Sequence, residues 1–323
     1  MHVLLTGAAG FIGSRVAELL LLGGHDVVGV DNLNDAYDPR LKQHRLDGLL
    51  GKRGFEFVRL DITDRIALER ICAVFPPFDA VINLAARAGV RPSVSDPWVY
   101  VDTNMTGTLN LLELCRWRGC EKFVLASTSS LYGGSNPLPF TEDQDTSRPL
   151  SPYAASKKGA EALTYTYYHL HGIDVTVFRY FTVYGPAGRP DMSIFRFCRW
   201  IAEGDPVEIL GDGHQSRDFT YVDDIARGTV LGLERVGYEV INLGSDKPHE
   251  LLRTVELIEQ ETGKKANLTF APADKADVPA TWANVDKARR VLGWEPQVGL
   301  EEGIRRSVAW YKENRELASE LTL

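Results

Sequence analysis

The stretch His2-Val-Leu-Leu-Thr-Gly-Ala-Ala-Gly-Phe-Ile-Gly13, at the start of the chain, decides the fold. Its apolar first half, His2–Thr6, predicts a buried strand, and the residues from Phe11 to Leu22 have the apolar spacing of a helix. A glycine-rich turn between a strand and a helix brings backbone N–H groups and the positive helix end close to a pyrophosphate. The stretch therefore predicts a dinucleotide-binding turn made by Gly7, Gly10, Phe11, Ile12 and Gly13.

Short apolar runs alternate with helix-like stretches over residues 1–180. Strands in this order pair in parallel through helical crossovers, so we expect an α/β fold with a doubly wound (Rossmann) parallel sheet. The less regular pattern that follows predicts a smaller C-terminal α/β substrate domain over residues 181–323, with a segment at about 219–240 returning to the first domain. The predicted strands are His2–Thr6, Asp26–Val30, Phe55–Leu60, Ala80–Leu84, Phe123–Ser127 and Asp174–Arg179, and the predicted helices include Asp64–Phe75, Val99–Arg118 and Ile194–Glu203.

The composition argues against several classes of protein. A net charge of −8 argues against nucleic-acid and anionic-membrane partners, and no apolar stretch reaches the roughly 18 residues that span a bilayer. Strand-like residues begin at His2, so we expect no signal peptide. The four cysteines form no C-x-x-C pair and are expected to be reduced thiols of a cytoplasmic protein. His169 and His171 point to different sides of a helix, and no metal site is expected.

Residues at the ends of the next strands predict how the dinucleotide is held. Asp31 ends the second strand, where a carboxylate can accept from both ribose hydroxyls and would repel a 2′-phosphate; Asn32 follows it, and this favours NAD over NADP. Asp61 and Ile62 follow the third strand and could reach the adenine, although capping of the next helix through Asp64 is the alternative for this segment. Small residues close the fourth strand, so that a flat cofactor could lie against the backbone. Tyr180 and three residues at this strand end complete the expected NAD site: Leu84, Ala85 and Ala86.

Tyr153 and Lys157 are four residues apart, on one face of a helix expected to begin near Ser151. A free phenol has a pKa of about 10 and is a poor base at neutral pH. A neighbouring ammonium and a positive nicotinamide ring favour the phenolate. Tyr153 could then take a proton from a substrate hydroxyl while hydride leaves the same carbon, and Lys157 would also hold the nicotinamide ribose. Such a pair also arises by chance on helix surfaces, and the glycine turn upstream is what favours catalysis here.

Hydroxyl side chains end the fifth strand, at Ser127-Thr-Ser-Ser130. Ligands bind at this edge of open α/β sheets. These hydroxyls could therefore donate to a sugar oxygen, with turn formation as the alternative role.

Together these motifs resemble the extended short-chain dehydrogenase/reductase family, over nearly the whole chain. The likeness includes the glycine turn, the Tyr-x-x-x-Lys pair, and the segments 179–186 and 217–224. It implies a UDP-sugar as substrate, a homodimer formed through helices near 99–118 and 151–171, and Thr128 in the place of the family's catalytic Ser/Thr. It also implies nucleotide contacts by Arg217 at the diphosphate, Val207 and Ile209 in the uracil site, and Asp277 at the ribose. Asp274-Lys275 depart from the basic or amide residue that is common there.

Within that family the chain is most similar to the 4-epimerases of UDP-glucuronate. Thr182 replaces the asparagine of neutral-sugar enzymes, and the loop Gly188-Arg-Pro-Asp-Met192 places a planar guanidinium where it could pair with a sugar carboxylate. The loop Ala85–Arg91 is also similar, although Arg87 stands where glutamine is usual; solvated surface charge is the alternative role for its arginines. The implied sugar contacts are Arg87, Arg91, Thr128, Ser129, Ser130, Thr182 and Arg189.

Positions 129 and 130 favour epimerisation over related reactions. Decarboxylases of the family carry a glutamate where Ser130 stands, and its 4,6-dehydratases carry an Asp-Glu pair in place of Ser129-Ser130. Without these carboxylates we expect NAD-dependent 4-epimerisation of a UDP-uronic acid through a transient 4-keto sugar. The alternatives are a neutral UDP-sugar 4-epimerase, a decarboxylase or 4,6-dehydratase relative, and a non-catalytic NAD-sensing protein, against which the intact Tyr153/Lys157 pair argues.

Overall fold

Strands and helices alternate through the first half of the chain and mix less regularly afterwards. The computed structural model describes residues 1–272 and 277–323. Its strands are β1 (His2–Thr6), β2 (Asp26–Asp31), β3 (Phe55–Arg59), β4 (Ala80–Asn83), β5 (Lys122–Thr128), β6 (Asp174–Tyr180), β7 (Thr182–Tyr184), β8 (Pro206–Leu210), β9 (Ser216–Tyr221), β10 (Tyr238–Leu243), β11 (Pro248–Glu250) and β12 (Asn267–Ala271). Its helices are α1 (Phe11–Leu22), α2 (Pro39–Asp47), α3 (Arg65–Val74), α4 (Val90–Ser95), α5 (Trp98–Val101), α6 (Gly107–Arg118), α7 (Pro152–His171), α8 (Ser193–Glu203), α9 (Val222–Leu231), α10 (Leu251–Thr262), α11 (Asp286–Leu292), α12 (Leu300–Glu313) and α13 (Arg315–Glu320).

A parallel sheet in the order β10-β6-β5-β4-β1-β2-β3 forms the centre of the molecule. Every strand pair in it is parallel. The chain builds the sheet outwards from β1 in one direction through β2 and β3, and then in the other direction from β4. The order therefore reverses between β1 and β4, where the carboxyl ends of the strands leave a crevice for a ligand. The predicted doubly wound (Rossmann) sheet is confirmed.

Both faces of the sheet are buried, which explains the nearly continuous apolar runs of its strands. Successive side chains of β1 point to opposite faces. Leu4 packs in a cluster with Val28 and Phe123. On the other face Val3 belongs to a cluster with Val27.

The C-terminal half divides between a second core and a return to the main sheet. A small sheet in the order β11-β9-β7 and a β12-β8 pair contribute to the second core together with α8, α10 and α12. The chain returns to the first core through α9, which packs against α1, and through β10, which forms an edge of the main sheet. Phe219, where the sequence predicted the return to begin, still belongs to β9 of the small sheet.

The helix predicted over Val99–Arg118 is interrupted. A π-helical turn, Asp102–Thr106, separates α5 from α6. Inside it the buried Asn104 side chain accepts a hydrogen bond from the main-chain N–H of Arg87 at 2.9 Å and donates to Ser156 Oγ at 2.9 Å. This wider turn ties the loop after β4 to α7. Apolar periodicity cannot reveal a single wider turn, so the sequence predicted one continuous helix.

Candidate active site

A cavity of about 440 Å³ lies at the carboxyl edge of the main sheet, facing the second core. Parallel pairing brings the ends of β1, β4, β5 and β6 to this edge, which is why residues distant in sequence meet there. Most of the residues predicted from the sequence line the cavity: Gly7, Gly10, Phe11, Ile12, Gly13, Asp31, Asn32, Asp61, Ile62, Leu84, Ala85, Ala86, Thr128, Ser129, Ser130, Tyr153, Lys157, Tyr180, Thr182, Arg189, Arg217 and Asp277.

The turn between β1 and α1 leaves no space for side chains. Gly7 has a φ of 72°, in the left-handed region that favours glycine. A Cβ atom at Gly13 would lie 2.0 Å from the Gly7 carbonyl oxygen, and one at Gly7 would lie 2.8 Å from the main-chain nitrogen of Ala85. Bare backbone at the N-terminus of α1 can therefore approach a pyrophosphate closely, so the turn fits a dinucleotide.

Asp31 ends β2 at the cavity, and main-chain donors hold its carboxylate. It accepts hydrogen bonds from the N–H of Ala9 at 3.2 Å and of Leu33 at 2.9 Å. The carboxylate is thereby oriented beside the glycine turn, as binding of a ribose requires.

The two carboxylates after β3 have different roles. Burial works to raise the pKa of Asp61, but hydrogen bonds from Thr63 and from the Asn32 amide hold that pKa below its usual value. The Asn32 amide donates to Asp61 at 2.7 Å. Asp64 instead caps α3 by accepting from the N–H of Ala67 at 3.0 Å. Asp61 thus remains at the cavity, while Asp64 stabilises the helix.

Helix α7 presents the tyrosine and the lysine to the cavity. Ser151 caps this helix by accepting from the N–H of Ala154 at 3.2 Å, and a proline occupies its first turn. Tyr153 and Lys157 lie one turn apart and both line the cavity. The Lys157 ammonium donates to the main-chain carbonyl of Ala126, in β5, at 2.8 Å.

Burial has the largest effect on both groups of this pair. Burial raises the pKa of the Tyr153 phenol, against a hydrogen bond with Thr128 and the charge of Arg189. Burial lowers the pKa of Lys157 to about 8, against the attraction of Glu161. The sequence led us to expect a lowered pKa for the Tyr153 phenol. The chain alone does not lower it, because desolvation outweighs the neighbouring positive charge. A cationic ligand beside the ring would favour the phenolate.

A buried ion pair under the catalytic helix was missed by the sequence analysis. The Arg179 guanidinium donates Nε and Nη2 to the two carboxylate oxygens of Glu161 at 3.0 and 2.9 Å. Ser127 Oγ donates to the same carboxylate at 2.6 Å. The network joins β5 and β6 to α7, one turn beyond Lys157. The only sequence signal is that Glu161 follows Tyr153 and Lys157 at helical spacing.

Arg189 lines the cavity, and its guanidinium is already paired with a carboxylate of the chain. Its Nε and Nη2 atoms donate to the two carboxylate oxygens of Asp191 at 3.0 and 2.5 Å. Nη2 also donates to the carbonyl of Ala88 at 3.3 Å. A ligand carboxylate would therefore meet an arginine that Asp191 already holds in place.

The hydroxyl row at the end of β5 is partly internally bonded. Thr128 Oγ1 accepts from the N–H of Ser130 at 3.1 Å and donates to Ser130 Oγ at 3.2 Å. This bond begins the 3₁₀ turn Ser129–Tyr132, so the turn-forming alternative is part of the role of Thr128. Thr182, at the start of β7, lines the same cavity.

The rim nearest the second core carries a cluster of charges. Asp277 lines the cavity and pairs with Arg91 of α4, which thus reaches the rim through this carboxylate. Arg217 donates to the Ser216 carbonyl at 2.8 Å. Burial lowers the pKa of Arg217, against the attraction of Asp277. Asp274-Lys275, noted in the sequence, lies outside the described residues.

Four predicted contact residues are not among those that line the cavity: Arg87, Arg91, Val207 and Ile209. Val207 and Ile209 are fully buried in the second core. Because side chains alternate along β8, these two point inwards, so a contact with a nucleotide would come from their main chain. Their place in the uracil site stays a prediction. Arg87 is half-buried beside the cavity rather than among the residues that line it.

The segment between β2 and β3 contributes residues that the sequence analysis missed. Tyr37 and Lys42 line the cavity. Lys42 is buried and donates from Nζ to Asn34 Oδ1 at 2.7 Å. Burial lowers the pKa of Lys42, against the attraction of Asp31. No local motif marks these residues; their position shortly after Asp31 is the only signal.

A dinucleotide cradle and a Tyr–Lys pair on one cavity define the class: a dinucleotide-dependent enzyme that exchanges hydride with a carbon bearing a hydroxyl. Residues 3–244 match the model of the NAD dependent epimerase/dehydratase family, and the chain belongs to that family. In the described ranges, no helix is long and apolar enough to cross a membrane, and no group of three or more His, Cys, Asp or Glu side chains could hold a metal ion.

Individual members of the family are similar over almost their full length. The chain is 58% identical over 317 residues to UDP-glucuronate 4-epimerase of Thermodesulfobacterium geofontis, with 98% of each chain covered. The structure of Bacillus cereus UDP-glucuronic acid 4-epimerase in complex with UDP-glucuronic acid and NAD matches with a TM-score of 0.91 at 37% identity, covering 97% of this chain and 99% of that one. The structure of Thermotoga maritima UDP-glucose 4-epimerase with UDP-glucose matches with a TM-score of 0.90 at 33% identity, covering 98% and 100%.

Proposed function

We propose that the chain is an NAD-dependent enzyme that interconverts UDP-glucuronate and UDP-galacturonate by epimerisation at C4. The observation that carries this proposal is one cavity shared by the glycine turn, Tyr153, the hydroxyl row and Arg189. The 58% identity to a UDP-glucuronate 4-epimerase supports the same substrate. A neutral UDP-sugar 4-epimerase is the second candidate, because the match to a UDP-glucose 4-epimerase has nearly the same TM-score.

The glycine turn and Asp31 would hold the cofactor at its pyrophosphate and ribose. Bound NAD supplies the reversible acceptance of a hydride. Tyr153 would take the proton of the sugar C4 hydroxyl and return it to the same oxygen when hydride adds to C4 from the other face of the ring. Thr128, which lines the same cavity, would bond to the phenol and so fix its direction. Lys157, one turn further along α7, holds a positive charge beside this proton transfer.

The sugar carboxylate decides which reaction follows oxidation. A 4-keto uronic acid is a β-keto acid, and it loses CO₂ when its C5–C6 bond lies perpendicular to the carbonyl. Arg189 would pair with the carboxylate, and Ser129, Ser130 and Thr182 would donate to its oxygens. Held in this way, the keto sugar turns about its link to the diphosphate and presents its other face. Positions 129 and 130 carry hydroxyls and no carboxylate, so elimination lacks an acid and a base.

The nucleotide half of the substrate would lie at the charged rim. Arg217 would meet the diphosphate, and Asp277 would meet the ribose. Because Asp277 pairs with Arg91 in the free chain, we expect substrate binding to rearrange this contact.

Product analysis tests the proposal directly. The purified protein is incubated separately with UDP-glucuronate, UDP-glucose and dTDP-glucose, and the products are separated. We expect UDP-galacturonate from UDP-glucuronate, with little UDP-pentose and no net NADH, because hydride returns in each cycle. UDP-pentose as the main product, or faster turnover of UDP-glucose, would overturn the proposal.

An Arg189→Ala variant separates the two candidate substrates. It removes the planar fork for the carboxylate, and loss of one charge-assisted contact lowers kcat/KM for UDP-glucuronate by about 10- to 100-fold. Turnover of UDP-glucose should change much less, because that sugar carries no charge. Equal losses with both sugars would contradict carboxylate recognition by Arg189.

We also propose a homodimer in the cytoplasm. Large apolar side chains are exposed on three helices: Trp98 and Val101 on α5, Leu109 on α6 and Tyr165 on α7. Such a surface suits a second copy of the chain. The four cysteines are free thiols, as a reducing compartment favours. Light scattering should give the mass of a dimer, and Leu109→Asp should give a monomer; a monomeric parent protein would contradict the dimer.

A further inference from the structure

A second arginine, Arg45 of α2, lies behind the loop that carries Arg189. Only 6% of its surface is exposed. Its Nε and Nη2 atoms donate to the carbonyl of Ala187 at 3.0 and 2.6 Å, and Nη2 also donates to the carbonyl of Gly188 at 3.3 Å. These two residues directly precede Arg189 in the chain. The guanidinium therefore fixes the main chain from which Arg189 extends.

The remaining donors of Arg45 reach the cofactor side of the cavity. Nη1 donates to the Tyr37 hydroxyl at 2.7 Å and to the carbonyl of Ala9 at 3.4 Å. Ala9 belongs to the glycine turn, and its N–H donates to Asp31. One buried side chain thus contacts both the expected dinucleotide turn and the expected carboxylate-binding loop.

The loop that Arg45 holds is strained. Ala187 has a φ of 51°, in the left-handed region that non-glycine residues rarely adopt. Strain of this kind persists only where surrounding contacts enforce it, and it concentrates at functional sites. The two hydrogen bonds from Arg45 to the Ala187 carbonyl are such contacts.

Tyr37 connects the two arginines through its ring. The Arg45 guanidinium lies 5.4 Å and the Arg189 guanidinium 5.7 Å from the centre of this ring. Both distances allow a cation–π contact. Since Tyr37 also lines the cavity, its orientation affects the space in front of Arg189.

From these contacts we infer that Arg45 is a positioning residue for recognition of the sugar carboxylate, acting through the main chain of residues 187–188 and through Tyr37. The inference rests on the proposed function, because it assigns Arg189 to that carboxylate. Arg45 itself is not among the residues that line the cavity. Its removal therefore weakens the preference for a charged sugar rather than nucleotide binding in general.

Affinity ratios test the inference. Arg45→Lys and Arg45→Met are made in a Tyr153→Phe background, which blocks turnover, and Kd is measured by calorimetry for UDP-glucuronate and for UDP-glucose. Lysine keeps a buried cation but cannot reach both the loop carbonyls and Tyr37 with the geometry of a planar fork. We expect the preference for UDP-glucuronate to fall about tenfold in both variants, the scale of one lost charge-assisted hydrogen bond.

Two control variants make the result specific. Arg199→Met removes a guanidinium that also donates to a main-chain carbonyl, that of Leu321, and that does not line the cavity. It should leave the affinity ratio within about twofold of the parent, as surface-directed changes usually do. Arg189→Ala should lower the ratio at least as much as the Arg45 variants.

The possible results separate this inference from the proposed function. Loss of preference in Arg189→Ala together with an unchanged ratio in Arg45→Lys and Arg45→Met would overturn the role of Arg45 alone. An unchanged ratio in Arg189→Ala would overturn carboxylate recognition by Arg189, and the role of Arg45 with it. If Arg45→Met does not fold, Arg45→Lys decides. Loss of UDP-glucose affinity equal to that of UDP-glucuronate would also refute a positioning role, because it would indicate general damage.

Discussion

Replacing Arg179 by methionine removes one half of the buried ion pair under the catalytic helix. The side chains of Arg179 and Glu161 are each only 4% exposed. Methionine fills a similar length but leaves the Glu161 carboxylate with Ser127 as its hydrogen-bond donor, at 2.6 Å. A buried negative charge would then have lost the guanidinium that balances it.

The size of the effect follows from this geometry. Two opposite charges about 4 Å apart attract by about 4 kcal/mol at an effective dielectric constant of about 20. Removal of one partner of a buried pair usually costs about 3–5 kcal/mol of unfolding free energy. Lys158 Nζ lies 3.8 Å from the Glu161 carboxylate and offsets part of the loss. We therefore expect about 3 kcal/mol, the lower end of that range.

Urea denaturation measures this loss, and a double-mutant cycle isolates the pair. Arg179→Met, Glu161→Gln and the double variant are compared with the parent. We expect each single change to be strongly destabilising and the double change to be less than additive, with a coupling of about 2 kcal/mol. Arg116→Met is the matched control, because its bond to Glu113 is partly exposed and such pairs contribute about 1 kcal/mol or less.

Two results would refute the reasoning. A loss below about 1 kcal/mol for Arg179→Met would mean that the buried carboxylate is solvated or protonated without cost. Strict additivity in the double variant would mean that the two side chains stabilise the protein independently of each other. The variant also has a functional outcome: because Glu161 lies one turn beyond Lys157, kcat should fall even where the protein is folded.

Three further predictions concern the cofactor turn, the phenol and the C-terminus. Tyr153→Phe should keep NAD bound but lower turnover at least about 100-fold; turnover above a tenth of the parent's would contradict a proton-transfer role. Gly13→Ala should be purified without NAD, because its Cβ would lie 2.0 Å from a main-chain oxygen, whereas Gly299→Ala, whose Cβ has 4.0 Å of space, should keep NAD by absorbance and mass spectrometry. Hydrogen bonds from arginines hold the pKa of Asp38 and of Glu203 at about 2, below the usual range. The stabilisation from these two carboxylates is present at neutral pH and is lost as the pH falls towards 2. Hydrogen exchange in the C-terminal helix, which the carboxylates hold, should therefore rise in acid before exchange in the main sheet does. Equal acceleration in both regions would contradict this prediction.

Local patterns were enough for six of the seven strands of the main sheet, whose parallel order follows from the helices between them. The edge strand β10, Tyr238–Leu243, was not predicted as a strand, because polar residues interrupt its apolar pattern. The glycine turn and the Tyr153/Lys157 pair were visible for the same reason, because their spacing is contiguous in the chain. The interruption of the helix around Asn104 was not visible, since one wider turn leaves the apolar pattern intact.

The sequence predicted which residues lie at the candidate site better than it predicted the contacts that those residues make. The sequence showed that Arg189 could pair with a carboxylate, but not that Asp191 already holds its fork. The family resemblance implied a uracil site at Val207 and Ile209, but not that both side chains point into the second core. In each case the role of the side chain depends on which residues from distant parts of the chain lie next to it.

The sequence by itself determined the parallel sheet, the cradle for a dinucleotide and the tyrosine that faces it, because periodicity and glycine spacing are properties of neighbouring residues. The tertiary structure decided the protonation and placement of these groups. Three features join segments up to 143 positions apart: the burial that shifts the pKa values of Tyr153 and Lys157, the ion pair beneath these residues, and the hydrogen bonds from Arg45 to residues 187–188. Desolvation and hydrogen bonding depend on distance in space, which the order of residues along the chain does not contain.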